Sequence, residues 1–217
     1  MSHITLIRHG QANSGARDEA SYDRLSPLGH QQAAWLGDYL RANGPSHPRL
    51  YCGTLTRHLE TVAAMDLPGE VIRDARLNEL EYFELAQLME AQFGVEIPED
   101  REGFVSHLPR VFTAWARGEI SGPPESFEAF ETRVSAALTE IAAGPGAALV
   151  VTSGGLISMA MRQVLRLDTE AMAHMALAIM NTSMHRLFPI GPGLSPVLFN
   201  AVPHLDTPDR HFAQTHI

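Results

Sequence analysis

Arg8, His9 and Gly10 form one tripeptide just after a short β-branched run at residues 4–7, and together they can handle a phosphoryl group. A neutral imidazole attacks phosphorus directly to give a phosphohistidine that water later hydrolyses, while an adjacent guanidinium neutralises the phosphoryl oxygens. A second arginine, Arg57, could add another fork of donors; paired forks match a tetrahedral oxyanion in a way that lysine cannot. Further on, Ser153-Gly154-Gly155 turns the apolar run 147–152 into a helix, a junction that aims the first helical amides at an anion. Each feature also has a plain alternative. An isolated Arg-His-Gly commonly does no more than solvate the end of a strand, and Arg57 could pair with Glu60 or Asp66 on its own helix, an arrangement that contributes little.

Strands and helices alternate around these residues. Residues 4–7 read as a buried first strand that feeds a polar loop, and 49–52 and 71–72 as further strands. Ser26-Pro27, followed by Leu28, Trp35, Leu36 and Leu40 with Gly44 beyond, has the N-cap, first-turn proline and terminal glycine of a helix. Residues 55–65 look helical. Phe104, Leu108, Val111, Phe112 and Trp115 recur at helical spacing, as do Phe127, Phe130, Val134, Leu138 and Ile141 after Ser126. Residues 85–141 are therefore expected to form a helical cap over one edge of the sheet. The continuous run 147–152 predicts a central strand covered on both faces, with a helix starting near Leu156, and 182–188 and 196–202 predict two last strands joined by a turn at 191–193. The expected fold is a single three-layer α/β/α sandwich over 1–217, with a mainly parallel sheet and ligands beyond the carboxyl ends of its strands. Arg8-His9-Gly10 and Ser153-Gly154-Gly155 both fall at such ends.

Three longer pieces follow one another in order: Leu6-Ile7-Arg8-His9-Gly10-Gln11-Ala12, then Tyr22-Asp23-Arg24-Leu25-Ser26-Pro27-Leu28-Gly29-His30-Gln31-Gln32-Ala33, then Leu55-Thr56-Arg57-His58-Leu59-Glu60-Thr61. With them the sequence resembles the histidine phosphatase superfamily, which includes cofactor-dependent phosphoglycerate mutases and many small phosphatases. The resemblance spans nearly the whole chain and implies the phosphoglycerate mutase-like form of the sandwich. It also implies roles: His9 the nucleophile, Arg8 and Arg57 the phosphate clamp, and Glu79, in Arg76-Leu77-Asn78-Glu79, the acid/base carboxylate. To act as a general acid that carboxyl must be protonated beside the leaving oxygen. Glu81 and Glu84 lie close by and remain alternatives.

The chain departs from the family pattern at two places. Most members follow the central strand with His-Gly, and that second histidine contacts the phosphoryl group; the matching residue here is Ser153. A hydroxyl donates one hydrogen bond and brings no charge, and removing one preorganised donor costs about 100- to 1000-fold in rate. Phosphate binding, with two arginines and the Gly154 amide, is expected to outlast catalysis. His58, His30 and His185 are the candidates to replace the missing histidine, yet consecutive helical positions diverge by about 100 degrees, so His58 beside Arg57 is expected to be structural. The family asparagine that helps to hold phosphate matches Gly15, which leaves Asn13 or Ser14 as substitutes.

The bulk properties narrow the classes. The formal net charge of -9 argues against non-specific binding to nucleic acid or anionic membranes. One cysteine, Cys52, forms no internal disulfide and fits a cytoplasmic home. The 11 histidines are scattered with no His-Glu-x-x-His arrangement, so neither metal nor cofactor is expected. The leading expectation is a phosphatase that hydrolyses a small phosphomonoester through phospho-His9, slowed by Ser153. A mutase-type phosphoryl transferase and a non-catalytic regulator that binds a phosphorylated ligand stay open, as does self-association, for instance a homodimer through the Met-rich stretch 172–180.

Overall fold

The structure, a computed structural model, describes residues 2–13, 16, 18–43, 47–191 and 193–216. Its centre is a six-stranded sheet in the order β3-β2-β4-β1-β5-β6. Strands β1 (Ile4–Arg8), β2 (Arg49–Cys52), β3 (Val71–Arg73) and β4 (Ala148–Thr152) run parallel, whereas β5 (Met184–Ile190) is antiparallel to β1 and forms a hairpin with β6 (Gly193–Ala201). The mixed sheet carries helices on both faces, the expected three-layer α/β/α sandwich.

The period-two alternation of the central strands explains the layers. Ile4 and Leu6 of β1 and Ala148 and Val150 of β4 enter one core, while Ile7, Leu149 and Val151 enter the other. On the second face lie α2 (Pro27–Asn43) and α3 (Thr56–Met65), which bring Ala33, Leu36, Leu40 and Met65. On the first lie α5 (Arg101–Ala116), α6 (Phe127–Ala143), α7 (Gly154–Leu165) and α8 (Thr169–Ala178), with Phe112, Phe130, Val134 and Leu156 in the packing. Both faces of β1 and β4 are thereby shielded from water, as their unbroken apolar runs require.

Local signals set the ends of these elements. Ser26 accepts from the Gly29 amide at 3.0 Å to cap α2, and Asp100, Ser126 and Asp168 cap α5, α6 and α8 in the same way. Gly44, expected past the end of α2, lies outside the described residues. The helix after β4 begins at Gly154, two residues earlier than its apolar run suggests, because Ser153 already has extended backbone angles at the cap position. Two short elements escape periodicity: α1 (Glu19–Tyr22), four residues long with none buried, and a 3-10 turn at Ala75–Leu77. Within the expected cap, α4 (Tyr82–Phe93) and α5 stand over the carboxyl ends of the strands, while α6 packs on α7 beside the sheet. No helix among the described residues is long and apolar enough to cross a membrane.

Candidate active site

The carboxyl ends of β1 and β4 bring the distant tripeptides together. Arg8 pairs with Thr152 in the β1–β4 register, and the His9 amide continues the ladder by donating to the Thr152 carbonyl at 2.8 Å. His9 thus stands at the strand end across from Ser153. Its ring is nearly buried, and Nδ1 lies 2.7 Å from the Gly10 carbonyl oxygen. A carbonyl only accepts, so Nδ1 carries the proton and Nε2 keeps its lone pair. Burial, followed by the charges of Arg57 and Arg8 and the neighbouring His58, holds this imidazole well below its ordinary range and therefore neutral. The loop that follows is drawn close to α2: a side chain on Gly10 would meet the Gly29 carbonyl oxygen at 2.4 Å.

Gln32 explains a motif residue that has no chemistry of its own. Fully buried on α2, it accepts from the Gln11 amide at 2.8 Å and donates to the Ala213 carbonyl at 2.7 Å. It ties the loop after His9 to the chain's C-terminal segment.

Both arginines reach the same cavity. The chain contains no lysine, so its fixed side-chain cations are guanidinium groups. Arg8 is held by the carbonyls of Ile179 and His216. Arg57, 1% exposed, donates through Nη1 to Asp23 Oδ1 at 3.0 Å and lies over the Tyr22 ring. Asp23 also accepts from the amides of Thr56 and Arg57, so one carboxylate caps α3 and orients its arginine. Glu60, an alternative partner, accepts from the Leu25 amide instead. On both arginines Nε is buried without a hydrogen-bond partner, as it also is on Arg49, Arg162 and Arg186.

Glu79 closes the other side. Its Oε2 accepts from the Gly155 amide at 2.9 Å and its Oε1 from the Leu80 amide at 3.0 Å. The backbone beneath it is held by Arg133 of α6, which donates to the carbonyls of Arg76, Asn78 and Glu79 while paired with Glu125. Thr152 of β4 adds a 2.7 Å bond to the Leu77 carbonyl. Glu81 and Glu84 do not line the cavity.

Arg8, His9, Arg57, Glu79, Gly154 and Asn13 all line one cavity of about 410 Å³. Over residues 4–201 the chain matches the histidine phosphatase superfamily, branch 1. It belongs to that superfamily. Solved structures share its fold over most of the chain: a mutant phosphoserine phosphatase from Entamoeba histolytica in complex with phosphoserine superposes with a TM-score of 0.70 at 18% identity, covering 94% of this chain and 100% of that one. A phosphoglycerate mutase from Bacillus anthracis gives 0.69 at 20% identity, with 94% of each chain covered. Among curated proteins, the 2,3-bisphosphoglycerate-dependent phosphoglycerate mutase of Tropheryma whipplei is 31% identical over 134 residues, 57% of this chain and 55% of the mutase. The chain thus spans about half the length of the curated relatives it matches.

This superfamily member has two features that its motifs do not announce. Glu19, on α1, lines the cavity with its Oε1 3.3 Å from the Phe83 amide, and burial, only partly offset by Arg57, raises its carboxyl to about 7. The second is His58. Instead of packing away from the site, its ring lies 5.8 Å from that of His9, and its Nε2 is 2.6 Å from Ser153 Oγ. Ser153 is fully buried and does not line the cavity. The other candidate histidines stand elsewhere: His30 is on the exposed side of α2, and buried His185 on β5 bonds Ser183 Oγ and the Asn200 amide. Asn13 uses its amide on the Ser21 carbonyl, and Ser14 and Gly15 lie outside the described residues.

Proposed function

We propose that this protein is a metal-independent phosphatase that hydrolyses a small phosphomonoester through a phosphohistidine on His9. The observation that carries the reading is the His9 ring itself, neutral, with Nδ1–H committed to the Gly10 carbonyl and Nε2 left as the nucleophile, in a cavity that also receives two arginines. In the first step Nε2 attacks phosphorus, the ester P–O bond breaks, and the leaving oxygen takes a proton from Glu79. In the second, water attacks phosphorus, gives its proton to Glu79, and the P–N bond breaks to release phosphate. Arg8, Arg57 and the amide of Gly154 carry the charge of the phosphoryl oxygens throughout.

Hydrolysis is preferred to mutase chemistry because of what surrounds the clamp. A mutase must also hold the acidic remainder of a sugar acid, which calls for cations beyond the transferred phosphate. Among the described lining residues Arg8 and Arg57 are the only arginines, and the rest of the cavity presents Glu19, Glu99 and Asp100 with the rings of Tyr22, Phe83 and Phe104. Such walls suit an uncharged or aromatic leaving group. The test is phosphate release from aryl phosphates and from 3-phosphoglycerate: wild type should prefer the former, and His9→Ala should release none. A His9→Ala protein with unchanged activity would sink the reading.

A further inference from the structure

Beyond the phosphate clamp the cavity is walled by a run of aromatic rings with a carboxylate set against it. Outward from His9, the Tyr22 ring is 6.3 Å away, Phe83 is 5.9 Å from Tyr22, Tyr82 is 5.8 Å from Phe83, and Phe104 is 5.2 Å from Tyr82. All five line the cavity. The faces of such rings attract cations, as Arg57 shows at 5.0 Å over Tyr22. Glu19 lines the same space, and its Oε1 accepts from the Phe83 amide at 3.3 Å. That bond is long beside the 2.9 and 3.0 Å amide bonds that occupy both oxygens of Glu79. Among the described residues Glu19 forms no ion pair, and the guanidinium of Arg57 is paired with Asp23. Burial raises the Glu19 carboxyl to about 7; Arg57 on α3 pulls it down, while Glu79 and Glu81 push it up. Glu99 and Asp100, at the start of α5, add negative charge to the lining.

A bound phosphate ester makes this imbalance larger. Its phosphoryl group neutralises Arg8 and Arg57, the only lining arginines among the described residues, and so weakens the positive field that favours an ionised Glu19. A carboxylate then faces aromatic rings without a cation, and the leaving group is the component that can bring one. We propose that Glu19 is a specificity-determining residue: the phosphomonoester this site takes has an aromatic leaving group with an alkylammonium arm, whose cation is held by the Glu19 carboxylate and the rings of Tyr22 and Phe83. This rests on the phosphatase reading above and selects, among the leaving groups its walls suit, aromatic ones that carry positive charge. Glu19 acts as a counterion only when ionised, so the preference for such an arm grows as pH rises through about 7. An alkylammonium, with an ordinary value of about 10.4, stays charged over that range.

The test uses three phenyl phosphates matched in size, with a para 2-aminoethyl, 2-hydroxyethyl or carboxymethyl arm. Their phosphate ionisation is shared, so ratios between them isolate the arm. Binding is measured by calorimetry on His9→Ala, which cannot turn them over, and kcat/KM on wild type. At about pH 8 the ammonium ester should bind about 10-fold tighter than the hydroxyl ester, as for a hydrogen bond to a charged group, and the carboxylate ester should bind weakest. Near pH 5.5 the ammonium preference should shrink to less than about threefold. Adding Glu19→Gln, which keeps the shape and removes the charge, should shrink it equally at both pH values. Equal affinities for the ammonium and hydroxyl esters, a preference independent of pH, or one that survives Glu19→Gln would each overturn the proposal. The pH comparison needs no substitution at Glu19, so it decides even if that variant fails to fold. Wild type that turns over none of the esters would defeat the phosphatase reading, while the binding series on His9→Ala would still judge the role of Glu19.

Discussion

The amide of Gly155 donates to Glu79 Oε2 at 2.9 Å, and a side chain added at Gly155 would stand 2.3 Å from Glu79 Oε1. The second glycine of the Ser-Gly-Gly turn therefore sets the position of a carboxylate 76 residues away in sequence. Gly155→Ala should push Glu79 aside and lower kcat by about 100-fold, the size expected when a reacting group moves by about 1 Å. Combining it with Glu79→Gln should add little, because both changes act on one group. An independent, additive loss in the double variant would show that Gly155 acts elsewhere.

His9 gives a pH signature. A histidine nucleophile of ordinary basicity loses its lone pair to protonation as the pH falls through about 6.5. Burial and the two arginines hold His9 lower than that, so the neutral ring persists further into acid. The acid limb of kcat/KM, which reports the free enzyme, should accordingly lie clearly below that value. Linkage runs the other way for folding: the unfolded ring takes up a proton that the folded ring refuses, so this residue lowers stability progressively as pH falls below about 6.5. An acid limb centred on the ordinary histidine value would contradict the neutral, buried ring.

The sequence made the frame legible because strong local rules agreed with the tertiary ones. The runs at β1 and β4 are apolar since both faces are covered, and Ser26 before Pro27 marks the start of α2. The missed site residues lack such signals. Glu19 and Asp23 lie on or beside a four-residue helix with no buried position, where periodicity has nothing to report. Arg133 sits on the polar side of an ordinary core helix, and its grip on the Glu79 loop is a long-range contact. Arg57 and His58 are neighbours in the first turn of α3 and diverge as helical neighbours do: Arg57 lines the cavity, while His58 is fully buried outside the lining with its ring 5.8 Å from that of His9.

Glu19 offers a test through stability. Its carboxyl is raised from 4.5 to about 7 by burial, against the opposing pull of Arg57 and the Phe83 amide and with the support of Glu79 and Glu81. A raised carboxyl favours folding at low pH and loses that contribution as pH rises through about 7. Glu19→Gln removes the titration. Its melting temperature relative to wild type should thus be higher at pH 8 than at pH 5, by a few degrees for a chain of this size. Equal differences at the two pH values would place the Glu19 carboxylate in water rather than in the cavity wall.

Asp23 separates binding from orientation. It accepts from the Thr56 and Arg57 amides at 2.8 and 3.2 Å and from Arg57 Nη1 at 3.0 Å. Asp23→Ala removes a helix cap, which costs roughly 1 kcal/mol. It also leaves the guanidinium of Arg57 without its carboxylate. Phosphate can then supply the countercharge, so added phosphate should raise the melting temperature of the variant more than that of wild type by mass action. The fork is no longer held at a fixed angle, however, and kcat should fall by about 10- to 100-fold even though phosphate binds no worse. Weaker phosphate binding with unchanged kcat would reverse this assignment, making Asp23 part of the affinity of the clamp and not of its aim.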